Sequence, residues 1–226
     1  MFTERGLTPY FICFLAMWSS VILIVKRLKL GMQQKTIAIA ILPETEDFTL
    51  SVSTVDQLFE RIGMVVDSPS HFVLFRRIHI ALSNLRNLGR VTDVDAMLKS
   101  QAEHDESTME TSYSIIRGFV WAIPVLGFIG TVIGLSQAIG GFGEVVGNGG
   151  DINDITSSLS VVTAGLSTAF ETTLLALVFA LIIQLAMTFL KKSEEEFLDD
   201  CEEYCQKHIV NRLRIMPFEQ EVHESA

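Results

Sequence analysis

Between Arg117 and Glu144 the chain runs for 26 residues without a charged side chain. That run holds Trp121-Ala122-Ile123-Pro124-Val125-Leu126-Gly127-Phe128-Ile129-Gly130-Thr131-Val132-Ile133-Gly134-Leu135. An uncharged stretch of this length is long enough to cross the roughly 30 Å hydrocarbon core of a bilayer as a helix. Lipid contact requires neither its proline, its glycines nor its lone threonine. Close helix packing and a polar path would use such residues.

Two further runs match it. Residues 7–25 are uncharged and are followed by Lys26, Arg27 and Lys29; residues 161–190 contain only Glu171 and are followed by Lys191 and Lys192. Charged side chains make up 19 % of the 226 residues and concentrate between and after these runs. That partition predicts an all-α integral membrane protein with three transmembrane helices. The basic cluster after the first run, with no small-residue cleavage site, predicts a retained span and not a secretory signal.

Basic flanks orient the spans. By the positive-inside rule the expected layout is a periplasmic N-terminus (1–6), a first span (7–25) and a cytoplasmic helical domain (26–117). A second span (118–139), a periplasmic loop (140–160), a third span (161–190) and a cytoplasmic tail (191–226) complete it. The loop holds Glu144, Asp151 and Asp154 and no base, as an outer segment should.

In the inner domain, Thr36–Leu42 is a short apolar stretch of undecided structure closed by Pro43. Ser51 or Ser53 is placed to cap a helix to about Met64, and Ser70 one reaching Leu88 before Gly89. Thr92-Asp93-Val94-Asp95 resembles the start of a third helix. No breaker separates that helix from the second span before Gly118 and Pro124, so one long helix is expected. Phe197, Cys201, Tyr204, Cys205, His208 and Ile209 recur at helical spacing, which extends the third span to about Arg214. Helices two and three are thus expected to reach far into the cytoplasm as a helical bundle.

In the second span, Gly127, Thr131, Gly134 and Ala138 share one helix face, and Gly130 and Gly134 form a Gly-x-x-x-Gly pair. The face reads as a packing seam, or as a seam bordering a polar path to which Thr131 offers its hydroxyl. In the third span, Ser160, Ala164, Ser167 and Glu171 share a face that Thr168 and Thr172 adjoin. A face this polar should meet helices or water, not lipid. A carboxyl at Glu171 inside the bilayer marks an ion or proton pathway; the alternative is a position near the outer membrane surface, hydrated or neutralised by protonation.

Residues Ile123 to Gly134 resemble the second-span pattern of the MotA/TolQ/ExbB proton channel family, of the form A-P-L-L-G-L-L-G-T-V-x-G. Ala169-Phe170-Glu171-Thr172-Thr173-Leu174-Leu175-Ala176-Leu177 is similar to its third-span A-L-x-x-T-A-x-G-L. Leu174 and Ala176 depart from that pattern, and Glu171 is an additional acid. Three spans with an insert after the first resemble the ExbB/TolQ branch, whereas MotA stators have four spans.

The resemblance implies a pore-forming stator subunit of the bacterial inner membrane, not an enzyme, working without a cofactor. It implies a homopentamer around two copies of a single-span ExbD/TolR/MotB-like partner that carries the proton-binding aspartate. Thr131 and Thr173, with Thr172 and Glu171, are then the proton-path candidates. Pro124, Gly127, Gly130, Gly134 and Thr168 form the packing seam. The chain has no partner helix of its own, so a second protein is expected.

Other classes are a non-conducting membrane scaffold and a small-solute transporter. Three spans and no visible internal repeat speak against the transporter. A membrane enzyme ranks last, because no nucleophile–base pair or cofactor fingerprint is present. No basic stripe with interleaved aromatics supports nucleic-acid binding. Cys201, Cys205 and His208 share a face that suits core packing better than a metal. Gly140-Gly141-Phe142-Gly143 and Gly147-Asn148-Gly149-Gly150 read as a flexible outer turn and not a phosphate loop. His71, His79 and His104 read as surface or packing residues. The acids from Glu194 to Glu203 read as a solvated helix face.

Overall fold

A computed structural model of the chain describes residues 7–37, 60, 71–88, 91–147 and 152–212. Five helices account for most of them: α1 (Thr8–Ile37), α2 (Val73–Leu88), α3 (Val91–Ser112), α4 (Ser114–Gly147) and α5 (Ile152–His208). A 3-10 turn, Val210–Arg212, follows, and the described residues contain no strand. Three helical stretches are long and apolar enough to cross a membrane: Thr8–Ile37, Asp93–Gly143 and Ile155–Arg212. The chain divides into two compact units, Met1–Lys26 with Tyr113–Leu190, and Arg27–Ser112 with Lys191–Ala226.

The first unit is built from α1, α4 and α5 and is apolar outside as well as inside. Phe14, Trp18, Trp121, Phe128, Phe170 and Phe189 are all more than half exposed. In water such a surface is a liability, whereas hydrocarbon solvates it. Some of its hydroxyls are satisfied within their own helix. Ser19 and Ser20 donate to the carbonyls of Leu15 and Ala16, both at 2.8 Å. Pro124 lies inside α4, where its ring removes one backbone donor, and the helix continues past it. Where α1 meets α4, the Lys26 ammonium lies 4.1 Å from the centroid of the buried Tyr113 ring.

The second unit is organised like a soluble bundle. Leu74, Phe75, Ile78 and Leu82 of α2, Val94 and Leu98 of α3, and Phe197, Cys201 and Cys205 of α5 are buried at helical spacing. Gln33 of α1 holds the start of α2. Its Nε2 donates to the His71 carbonyl at 2.8 Å and its Oε1 accepts from the Val73 amide at 3.0 Å. The Val73 N–H has no partner within its own helix, so the side chain serves as a cap.

A buried ion pair crosses this core. Arg77 Nε donates to Asp105 Oδ2 at 2.8 Å and Arg77 NH1 to the Leu198 carbonyl at 3.3 Å. Arg76 and Gln101 also donate to the Asp105 carboxylate. Arg77 and Asp105 are 1 % and 4 % exposed, so each charge is compensated entirely by its neighbours. At the edge, Lys191 bridges Glu110 and Glu195, and both carboxylates raise its pKa.

Several boundaries differ from the sequence expectations. The helix entering the second span is interrupted at Tyr113, between α3 and α4, although the Arg117 amide still reaches the Tyr113 carbonyl at 3.0 Å. Gly140, Gly141 and Gly143 are helical and do not form a turn, and α5 begins at Ile152, ahead of the expected span. Glycine weakens a helix by about 1 kcal/mol without forbidding it, and adding residues to a formed helix needs no new nucleus. Helix α3 starts at Val91, so Asp93 sits in its first turn, facing the positive end of the dipole. Helix α1 runs to Ile37, and α5 ends at His208, followed by the 3-10 turn to Arg212; Arg214 lies outside the described residues. The N-terminus (1–6), residues 38–42 with Pro43, Ser51 and Ser53, Ser70, Gly89, Asn148–Gly150 and the tail from residue 213 lie outside the described residues.

Candidate functional site

The site is made where α4 and α5 run antiparallel with almost nothing between their backbones. A methyl group added at Gly127 would lie 2.6 Å from the Ala176 Cβ and 3.3 Å from the Thr173 Cα. One at Gly134 would lie 3.2 Å from the Ala169 Cβ, and one at Gly165 would lie 3.0 Å from the Ala138 Cβ. The small residues of α4 therefore meet small residues of α5 in register, turn by turn. Without a hydrophobic drive between helices in lipid, this close approach is what van der Waals packing can use.

The seam carries two hydroxyls at its centre. Thr131 of α4 and Thr173 of α5 are hydrogen-bonded to each other. Thr131 Oγ1 also donates to the Gly127 carbonyl at 3.0 Å, and Thr173 Oγ1 to the same carbonyl at 2.9 Å. Gly127 thus contributes twice: its missing side chain admits α5, and its carbonyl gathers both hydroxyls.

Two hydroxyl hydrogens serve three contacts. If Thr131 donates to Gly127, Thr173 donates to Thr131 and its own oxygen can accept from outside. In the reverse arrangement the Thr131 oxygen is the open acceptor. Giving up the threonine–threonine bond instead frees one hydrogen for an outside acceptor. The pair can therefore hydrogen-bond an incoming donor or an incoming acceptor without a charge of its own.

Gly130 lies one step round α4, where all three helices of the unit meet. A methyl there would fall 3.0 Å from Thr8 Oγ1 of α1 and 3.1 Å from Thr172 Cγ2. Thr172 is buried and donates its hydroxyl to the Thr168 carbonyl at 2.9 Å, while Thr168 donates to the Ala164 carbonyl at 3.1 Å. Both spend their hydroxyls on their own helix. Glu171 lies on the exposed side of α5, together with Ser160, Ala164 and Ser167.

Of the four proton-path candidates, Thr131 and Thr173 are thus brought together, Thr172 turns to its own backbone, and Glu171 occupies another face. The expected α4 face of Gly127, Thr131, Gly134 and Ala138 is the face that meets α5. Sequence reasoning missed the α5 half of the seam, Gly165, Ala169 and Ala176, and the approach of Thr8. Gly165-x-x-x-Ala169 and Thr172-x-x-x-Ala176 are small-x-x-x-small pairs that could have marked it.

Elsewhere, Cys201 and Cys205 lie in the core of the second unit, where burial pushes both thiols up to about 12. Among the described residues no group of three or more His, Cys, Asp or Glu side chains is placed to hold a metal ion. A cleft of about 420 Å³ in that unit is bordered by Arg77, Lys99 and the acids Glu103, Glu106, Glu195, Asp199 and Glu202, a mixed-charge surface open to solvent.

The model of the MotA/TolQ/ExbB proton channel family matches residues 70–203. No curated protein and no solved structure matches the chain.

Proposed function

The chain belongs to the MotA/TolQ/ExbB proton channel family, and on that premise we propose that it is the pore-forming, stator-type subunit of a proton-driven motor in the bacterial inner membrane. In this reading it surrounds a single-span ExbD/TolR/MotB-like partner, five copies around two, and proton flow is converted into work on that partner. The N-terminus is periplasmic and the C-terminus cytoplasmic.

The observation that carries the reading is the Thr131–Thr173 pair joined at the Gly127 carbonyl. A carboxylate in hydrocarbon is costly until it is protonated or given donors. The hydroxyl pair can supply a donor to the partner's ionised acid and an acceptor to its protonated form. Binding both forms without a fixed charge is what a site of repeated proton loading and release needs.

Depth along the helices supports the same arrangement. Thr131 lies 14 residues past Arg117 and Thr173 lies 18 before Lys191, so each is about 21–27 Å from the basic flank at 1.5 Å per residue. Glu171 lies about 30 Å from Lys191 on the same count, at the far limit of a hydrocarbon core of about 30 Å. The carboxyl then stands at the outer mouth, where protons enter. The polar exposed face of α5 turns inward to the assembly, since lipid would not solvate it.

The test is proton flux in vesicles holding the chain with its co-purified single-span partner. Thr131→Val should abolish most of the flux while the assembly stays intact. Unchanged flux and unchanged work output would remove Thr131 from the path and leave a packing scaffold.

A further inference from the structure

We propose that the first turn of α1 beyond its apolar run forms a binding site for the headgroup of an anionic phospholipid, with Arg27 and Lys29 as the phosphate ligands and Ile24 and Leu28, 59 % and 64 % exposed, as the acyl-side contacts. The proposal rests only on α1 crossing a membrane, and is independent of the channel reading.

Helix α1 does not stop at its basic cluster but continues to Ile37. Leu30, Gln33 and Thr36 are 3 %, 7 % and 3 % exposed, and Gln33 is bonded to the start of α2, so one side of this extension is held. Its other side is open. Leu28 is 64 % exposed and Met32 58 % exposed. They continue the stripe Phe14, Met17, Val21 and Ile24, at spacings of three and four residues, that lipid covers in the span.

Leu28 lies about 4.5 Å past Val25, within a headgroup layer, where its exposed side chain can meet acyl chains; Met32, about 10 Å past Val25, lies beyond it. Each headgroup layer is about 5–8 Å thick, and Arg27 and Lys29 lie about 3 and 6 Å past Val25 along the axis. Their aliphatic stems can lie on the apolar stripe while the charges reach phosphate. From Lys26 to Ile37 the sequence has four bases and no acid. Among the described residues Arg27 and Lys29 form no ion pair. The charge is therefore available to a negative surface, and the adjoining apolar stripe selects a lipid over a free anion. Lys35 lies about 15 Å past Val25, outside that layer.

The experiment uses the full chain in its purified assembly, stripped of lipid in mild detergent and titrated with dioleoyl phosphatidylglycerol or dioleoyl phosphatidylcholine. Bound lipid is read by native mass spectrometry and by the melting temperature. Phosphatidylglycerol should form retained adducts and raise the melting temperature, with phosphatidylcholine doing neither. R27Q/K29Q should weaken the phosphatidylglycerol effect by about tenfold or more, from roughly fivefold per basic residue at a membrane surface. K35Q should leave it unchanged. If R27Q/K29Q does not assemble, the charge-preserving R27K/K29R should retain the adducts and each single neutral variant should lose about fivefold. Adducts that survive in R27Q/K29Q, equal binding of both lipids, or displacement by millimolar inorganic phosphate would each overturn the assignment.

Discussion

Thr131 on α4 and Thr173 on α5, far apart in sequence, are hydrogen-bonded to each other and converge on one acceptor, the Gly127 carbonyl. Each hydroxyl supports the other, so their contributions to proton flux should not add. Thr131→Val and Thr173→Val alone should each lose most of the flux, and the double variant little more. A double-mutant cycle of flux in vesicles measures this. Independent, additive losses would mean that the two hydroxyls act at separate places.

Gly127 is the tightest point of the seam. Gly127→Ala would drive its methyl into Ala176 at 2.6 Å, and overpacking of this kind costs about 1–3 kcal/mol. The melting temperature of the assembly should fall and flux should fall with it. Ala176→Gly in the same chain should restore both. Failure of that rescue would show that the contact with Ala176 is not what the alanine disturbs.

The Arg77–Asp105 pair should dominate the stability of the second unit. Asp105→Ala leaves the buried guanidinium of Arg77 without its counter-ion, a change worth about 3–5 kcal/mol. Urea denaturation of the purified protein should show the loss, and Arg77→Met combined with Asp105→Leu should recover much of it. Lys191–Glu110 bridges more exposed side chains, so Glu110→Gln should leave the same midpoint nearly unmoved.

Glu171 is predicted to raise flux and not to permit it. Glu171→Gln should leave a conducting assembly with reduced flux. Proton uptake in vesicles reads this directly, and flux equal to that of the unsubstituted chain would make the carboxyl structural.

Cys201 and Cys205 are predicted to be inert. With their thiols pushed from the ordinary 9.0 up to about 12 by burial, neither should be alkylated by iodoacetamide at pH 8 until the protein unfolds. Because the thiols ionise more readily in the unfolded chain, the stability they contribute is complete below pH 9. It is lost as the pH rises from there toward 12. Rapid native labelling followed by intact mass would contradict the packing.

The three spans were readable because transfer into lipid is a local property: each side chain contributes separately, and a window of uncharged residues identifies itself. The Gly127, Thr131, Gly134 and Ala138 face was readable for a similar reason, since helical periodicity alone puts those positions on one side. The helical state of Gly140, Gly141 and Gly143 was not, because their intrinsic preference favours a turn and a helix already running through the span carries them along. The break at Tyr113 left no proline or glycine to announce it.

What the residues determined by themselves is which segments enter the membrane and which of their faces are small or polar. What only the folded chain decided is which faces meet. Periodicity places Thr131 on a stripe, yet contains nothing about the rotation or vertical offset of the helix opposite. Those follow from glycines of α4 fitting alanines of α5, a match between distant segments. The same step put Thr173 against Gly127, turned Thr172 back on its own helix and left Glu171 on another face, because one helix can present only one side to one neighbour.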